Sequence, residues 1–146
     1  SYDSAGARWI TKYLQNNNAP INQWANELNA IIAKTSDREL IFDLTTTLAR
    51  RYAANKMFDQ AANLYHQLIA EHELEYWSSP EDGTFFYGME AYKELIDFYQ
   101  KTGQKDRMAP EKQKMKALYQ KLLVYVKTKK IRYGAETLKG YEPYFK

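Results

Sequence analysis

Two histidines and three nearby glutamates are the residues of this chain that come closest to a catalytic or metal-binding set. His66 and His72 lie six residues apart, which on a helix points them to different sides, whereas ligands on one helix are usually three or four residues apart. Glu71, Glu73 and Glu75 flank His72, but adjacent and alternate helical residues diverge in direction. We therefore expect neither a metal site nor a hydrolytic cluster here.

The rest of the chain carries no recognisable catalytic pattern. It has no cysteine, which excludes a cysteine nucleophile and a disulfide, and it has no glycine-rich phosphate loop, nucleophile elbow or zinc-binding helix motif. Glu94 shares a helix face with Glu90 and with Asp97, but without a pocket such pairs are more typical of a solvated edge than of an acid and a base. We expect a protein that is not an enzyme and that uses no cofactor.

Composition favours a single soluble domain over residues 1–146. The chain is 45% hydrophobic and 15% aromatic, with thirteen tyrosines, and its length is enough to bury a core of its own. No apolar run approaches the roughly twenty residues of a membrane span. The chain begins SYDSAG rather than with methionine, which favours a processed amino terminus, so we expect an exported or periplasmic protein.

Apolar residues recur at helical spacing along most of the chain, and turn signals separate them into paired helices. Pro20 suits the first turn of a helix, and Ser36 with Glu39 forms the capping-box pattern that starts another. Gly103 is placed to end a helix and Pro110 to begin the next. The predicted fold class is all-α, with three antiparallel helical hairpins at about 5–34, 37–74 and 85–127, a first helix at about 5–15, and a tail at 128–146.

The segment EYWSSPEDGTFF interrupts the helical pattern and is predicted to be a turn-rich linker over about residues 75–87. Its aromatic residues are Tyr76, Trp77, Phe85, Phe86 and Tyr87. Two interpretations are open: the rings plug the gap between hairpins, or they stack on a sugar or an apolar peptide. Plugging is favoured, because an interrupted repeat has an end that must be covered.

The middle hairpin resembles a tetratricopeptide repeat, a pair of antiparallel helices of about thirty-four residues. The matching positions are Leu48, Ala49, Tyr52, Phe58, Ala61 and Tyr65. A more divergent copy at about 85–126 keeps Tyr92, Leu95, Tyr99 and Gly103. The resemblance implies three stacked hairpins that form a superhelix, with a concave groove that binds a segment of a partner protein.

The resemblance also implies which residues line the groove, since exposed positions on the first helix of each pair face it. These positions are Asp43, Thr46, Thr47 and Arg50 in the middle hairpin and Glu90, Lys93, Glu94 and Asp97 in the later one. This face is mixed or acidic, so a basic or neutral partner segment suits it. The function expected from the resemblance is that of a protein-binding scaffold or adaptor with a protein or peptide partner.

Charge is distributed unevenly along the chain. Residues 1–100 carry 8 Lys+Arg against 14 Asp+Glu, a net −6, whereas residues 101–146 carry 13 against 4, a net +9. The basic end is explained either by a solvated lysine-rich helix or by a surface that attracts anions. The candidate anion-binding residues are Lys127, Lys129, Lys130 and Arg132. Lysine predominates over arginine there, which disfavours nucleic acid as the partner.

Two other functions therefore compete with the adaptor. One is an anion-binding module that uses the basic carboxy-terminal region, and the other is a carbohydrate-associated protein of the cell envelope that uses its abundant aromatic residues. The basic tail also suits the acidic groove itself. Residues 127–146 are predicted to fold back across the groove, either blocking or completing it.

Overall fold

The computed structural model describes Arg8 and residues 20–146, and most of these residues are helical. Apart from Arg8, the predicted helix at about 5–15 lies outside the described residues. The helices are α1 (Ile21–Lys34), α2 (Arg38–Ala54), α3 (Phe58–His72), α4 (Tyr87–Lys101), α5 (Met108–Lys129), α6 (Gly134–Lys139) and α7 (Glu142–Phe145). A short antiparallel hairpin of β1 (Tyr76–Ser79) and β2 (Gly83–Phe86) lies between α3 and α4.

The chain divides into two compact units, Ser1–Tyr65 (unit 1) and His66–Lys146 (unit 2), with the division inside α3. In unit 1, α1 begins directly after Pro20, whose carbonyl accepts hydrogen bonds from the N–H groups of Gln23 and Trp24 at 3.0 and 3.2 Å. The buried residues of α1 are Trp24, Ala25 and Leu28. They recur at the three- to four-residue spacing from which this helix was predicted.

The capping box predicted at Ser36 and Glu39 is wrong by one residue. The residue before α2 is Asp37, and its Oδ1 accepts a hydrogen bond from the N–H of Leu40 at 3.2 Å. Ser36 and Glu39 are both exposed. Aspartate is as good a capping residue as serine, so the local pattern located the start of α2 but not the side chain that caps it.

The core of unit 1 forms where the apolar faces of α1 and α2 meet. Its fully buried members are Trp24, Leu28, Leu40, Leu44 and Leu48, each 2% exposed or less. Five further side chains pack against this cluster while partly exposed, namely Ile21, Ile31, Ile32, Tyr52 and Leu64. The leucine and tyrosine positions that resemble a tetratricopeptide repeat are therefore used for packing in this unit.

The predicted linker at 75–87 is instead a β-hairpin, so the all-α prediction holds only for the rest of the described chain. Tyr76 pairs with Phe86 and Ser79 with Gly83. Gly83 has φ +85°, a conformation that glycine adopts without steric cost. The turn is also closed by the Ser79 hydroxyl, which accepts a hydrogen bond from the Asp82 N–H at 2.9 Å.

Helices α4 and α5 pack against each other and form the body of unit 2. Gly103 ends α4 as predicted, with φ +74°. A 3-10 turn at Lys105–Arg107 leads into α5, which begins at Met108, two residues before the predicted start at Pro110. Pro110 still lies in the first turn, where the N–H that it lacks would have no partner within the helix.

The tail after α5 is ordered into α6 and α7, which both pack on α5. Ile131, Leu138 and Tyr141 are buried, at 8%, 0% and 6% exposed. Gly134 starts α6 close to α5, since a Cβ at this position would lie 2.8 Å from both Val126 methyl groups. The tail is therefore part of the core of unit 2.

Candidate functional site

The four charged residues of α4 that were predicted to bind a partner lie along one side of the helix. Lys93 and Glu94 lie three and four residues after Glu90, and Asp97 lies four and three residues after the same two, which places all four on a common stripe. All four are half-buried. We call this stripe the α4 face, and its three carboxylates and one ammonium give it a formal charge of −2.

The chain's own carboxy-terminal segment, residues 138–146, contacts the α4 face. The hydroxyl of Tyr141 donates a short hydrogen bond to the Glu90 carboxylate. The ammonium of Lys93 lies over the ring of Tyr144, with Nζ 5.6 Å from the ring centroid, a cation–π arrangement. Two of the four residues of the face therefore hold tyrosines of the same chain.

The carboxy-terminal segment also contacts α5. The hydroxyl of Tyr119 donates to Glu142 Oε2 at 2.7 Å, and the rings of Tyr119 and Phe145 lie 4.9 Å apart. Lys146 Nζ lies 3.0 Å from Glu142 Oε1. Helical spacing in the sequence predicts Tyr119 on the apolar side of its helix, but it does not predict the bond to Glu142, which lies twenty-three residues further along the chain.

Ionisation favours these hydrogen bonds near neutral pH. Burial, followed by the neighbouring charge of Glu90, raises the pKa of Tyr141 well above that of a free tyrosine. The hydrogen bond to Glu142 raises the pKa of Tyr119, and the same bond lowers the pKa of Glu142. Both phenols therefore remain neutral donors, and the bond from Tyr119 to Glu142 has a charged acceptor, which is the stronger kind of hydrogen bond.

The predicted binding residues of α2 form a poorer surface. Thr46 is only 2% exposed, and the hydroxyls of Thr46 and Thr47 both donate to the Asp43 carbonyl, at 3.2 and 2.6 Å. The expectation that Thr46 is exposed is wrong, because its side chain is buried and its hydroxyl is bound to the helix backbone. Arg50 is exposed and Asp43 is half-buried.

Each histidine is paired with a glutamate in unit 2. His66 Nε2 lies 2.9 Å from Oε1 of Glu111, a residue that is only 5% exposed, and His72 Nδ1 lies 2.8 Å from Glu75 Oε2. Glu111 Oε2 is buried and has no hydrogen-bond partner among the described residues. Sequence spacing did not identify Glu111, because it lies forty-five residues after His66.

Unit 2 is expected to lose stability at alkaline pH in part through Tyr92. Burial, with the charges of Glu111 and Glu73 adding to it, raises the pKa of Tyr92 from 10.0 to about 12. Since the folded-state pKa lies above the unfolded one, the stabilisation is complete below pH 10 and is lost as the pH rises towards 12.

Urea unfolding at a series of pH values between 8 and about 11.5 measures this loss. The matched control is Tyr92→Phe, which removes the titrating hydroxyl and should flatten the decline across this window. A decline of equal slope in both proteins would show that Tyr92 does not contribute.

Aromatic residues of the β-hairpin divide between the core and the surface. Phe86 and Tyr87 are buried, at 0% and 5% exposed, which agrees with plugging. Tyr76 and Trp77 are 36% and 43% exposed, and Phe85 is half-buried with its ring 5.0 Å from that of Tyr87. Plugging therefore fits Phe86 and Tyr87, whereas stacking on a ligand stays a prediction for Tyr76 and Trp77.

The candidate anion-binding residues lie at the end of α5 and in the turn that follows it. Lys127, Lys129, Lys130 and Arg132 are all exposed. The guanidinium of Arg132 lies 5.4 Å from the ring centroid of Tyr133. The structure thus places all four predicted cations on the surface.

Comparison with known protein families, curated proteins and solved structures finds no match for this chain. In residues 20–146 no helix is both long enough and apolar enough to cross a membrane. Across the same residues, no three His, Cys, Asp or Glu side chains are grouped so that they could hold a metal ion. The geometry of the described side chains is therefore the basis for inferring a function.

Proposed function

We propose that this chain is a protein-interaction adaptor that has no catalytic activity and binds a partner segment on the α4 face. One observation supports this most strongly: the α4 face already holds a peptide segment, which is the chain's own carboxy-terminal segment. Tyr141 is bound through its hydroxyl to Glu90, and Tyr144 is bound through its ring to Lys93. A surface that binds one segment through such directional contacts can bind another of similar chemistry.

The contacts define the chemistry of that partner. Glu90 needs a hydrogen-bond donor and Lys93 an aromatic ring, and in the carboxy-terminal segment these come from tyrosines three residues apart, Tyr141 and Tyr144. The formal charge of −2 on the face favours a neutral or basic segment over an acidic one. The expected partner segment therefore carries two aromatic residues at this spacing and few carboxylates.

The proposal includes two structural expectations. The three hairpins stack as in a tetratricopeptide-repeat protein, and the stack forms a concave groove. The support for them is the set of leucine and tyrosine matches and the role of these residues in packing. The resemblance also accounts for a helix face that binds segments without any catalytic group.

A partner must displace the carboxy-terminal segment, so the affinity that is measured depends on how firmly this segment is held. Removing residues 127–146 is a poor test, because it would delete Leu138 and Tyr141 from the core. Tyr141→Phe keeps the ring and removes only the hydrogen bond to Glu90. A hydrogen bond to a charged group contributes about 1.5–3 kcal/mol, so a competing segment should bind at least about tenfold more tightly to this variant.

Peptide display against the full chain, followed by affinity measurements on the selected peptides, tests the proposal. The selected peptides are expected to carry paired aromatic residues and to lose at least about tenfold in affinity for the double variant Glu90→Gln, Lys93→Gln. The control is Glu136→Gln, Lys139→Gln, which changes the same charges at exposed positions of α6. Peptides that bind the Glu90 and Lys93 variant as tightly as the unchanged chain would refute the α4 face as the binding site.

A further inference from the structure

The carboxy-terminal half of α5 and the turn after it form a basic stretch without acidic residues. Residues 120–133 contain five Lys+Arg and no Asp or Glu. Lys121 is neutralised by Glu73, with Nζ 2.8 Å from Oε1. The other four are the exposed cations Lys127, Lys129, Lys130 and Arg132, and none of them pairs with a carboxylate in the part of the chain that the structure describes.

Exposed apolar side chains lie among these cations. Val124 is 68% exposed, and it is three residues from Lys121 and from Lys127, so the three share a helix face. Tyr133 is 45% exposed and lies beside Arg132. Val124 and Tyr133 therefore add exposed apolar surface beside the cations.

The β-hairpin extends this surface, because it lies alongside α5. The ring of Tyr76 in β1 lies 6.3 Å from that of Tyr125, one turn before Lys129. The hydroxyl of Thr84 in β2 donates to the backbone carbonyl of Arg132. The hairpin therefore follows α5 towards its carboxy-terminal end and brings Tyr76 to the basic stretch.

We call the combined surface the basic–aromatic face. Its members are Tyr76, Val124, Lys127, Lys129, Lys130, Arg132 and Tyr133. We propose that this face docks unit 2 reversibly on an anionic phospholipid surface. The proposal goes beyond the adaptor function, because the face consists of residues different from those of the α4 face and, among the described residues, its four cations bind no carboxylate.

Lipid suits this face better than nucleic acid or an acidic peptide. Lysine is a strongly hydrated point charge that suits a diffuse anionic layer, whereas specific recognition of phosphate or carboxylate favours the arginine fork. Val124 cannot stack on a base as an aromatic ring does. Tyrosine is the kind of residue that lies at a membrane interface, and a nearby aliphatic side chain adds buried apolar area there.

The position at the end of α5 also favours an extended surface over one bound anion. The carboxy-terminal end of a helix carries a partial negative charge, which weakens the binding of a single phosphate beside it. Several lysines are attracted to many headgroups at once, and this attraction acts over about 8–10 Å at moderate salt. The partial negative charge at one helix end therefore weakens it less. A Lys or Arg near an anionic membrane contributes about 1 kcal/mol to the binding free energy, so each one increases the partition coefficient about fivefold.

Vesicle sedimentation with the full chain tests the proposal. The chain is expected to bind phosphatidylcholine vesicles that contain phosphatidylserine, to ignore pure phosphatidylcholine vesicles, and to dissociate as salt is raised. Lys127→Gln, Lys129→Gln should lower the partition coefficient about 25-fold. Val124→Ser should lower it severalfold at unchanged charge, which a purely electrostatic attraction would not produce.

The matched control is Lys105→Gln, Lys116→Gln, which removes two exposed lysines outside the face and should change the partition coefficient less than twofold. An equal loss in both double variants would overturn the proposal, because general charge would then explain the binding. It would also be overturned if the chain ignored the anionic vesicles at low salt, or if it bound a single-stranded oligonucleotide or an acidic peptide and left the vesicles unbound.

Discussion

Replacing Leu122 by alanine is expected to lower the free energy of unfolding by about 2–5 kcal/mol. Leu122 lies on α5 and is 0% exposed, so the shorter side chain loses its burial and leaves a cavity that neighbouring side chains fill only in part. Many domains are stable by only about 5–15 kcal/mol in total. The substitution should therefore remove a large part of the stability of unit 2.

The next residue provides a matched control. Leu123 follows Leu122 in the same helix and is half-exposed, so Leu123→Ala makes the same chemical change with the same effect on helix propensity. Urea unfolding followed by circular dichroism should give less than half the loss for this variant. Equal losses at the two positions would contradict the orientation of α5.

Replacing Gly88 by alanine is expected to destabilise unit 2 by about 1–3 kcal/mol, although alanine is the better helix former. An added Cβ would lie 2.9 Å from the Glu73 carbonyl oxygen and 3.1 Å from Leu118 Cδ2. The first of these atoms belongs to the backbone, so it cannot turn aside as the end of a side chain can. Glycine at this position therefore lets α4 lie close to Glu73 and to α5.

Gly140→Ala is a graded control for this effect. An added Cβ there meets one atom within 4 Å, the Thr137 carbonyl oxygen at 3.2 Å, so the loss is expected to stay below about 1 kcal/mol. Thermal unfolding monitored by circular dichroism at a fixed pH compares the two variants. If Gly88→Ala proved as stable as the unchanged chain, α4 could not lie this close to Glu73.

Local patterns in the sequence predicted the helices well, because a helix is specified by residues that are near one another in the chain. The three- to four-residue spacing of Trp24, Leu28 and their neighbours identified α1, and Gly103 identified the end of α4. The cap of α2 was missed by one residue, because Ser36 and Asp37 are both good caps and the choice depends on backbone geometry.

The β-hairpin was predictable in part, because its turn has a local sequence signal. Asp82-Gly83 between two short aromatic stretches is a recognised hairpin pattern. The dominant helical periodicity on both sides favoured a linker instead. The register that pairs Trp77 with Phe85 follows only once the turn geometry is known.

The contacts of the candidate site could not be predicted, because they join residues far apart in the chain. Tyr141 and Glu90 are fifty-one residues apart, and Tyr119 and Glu142 are twenty-three apart. Periodicity placed Glu90 and Lys93 on a common helix face, and charge suggested that the tail folds back. Which tyrosine meets which charge depends on the packing of α4, α5 and α7.

The central claim is that the α4 face binds segments of defined chemistry and is occupied by the chain's own tyrosines. Fluorescence anisotropy of a labelled peptide with the sequence of residues 138–146 tests it most directly. The unchanged chain should bind this peptide weakly, because the tethered copy competes at a high effective concentration. The double variant Tyr141→Phe, Tyr144→Ser should bind it at least about tenfold more tightly, and adding Glu90→Gln should abolish the gain. Equal, weak binding by all three proteins would contradict the account.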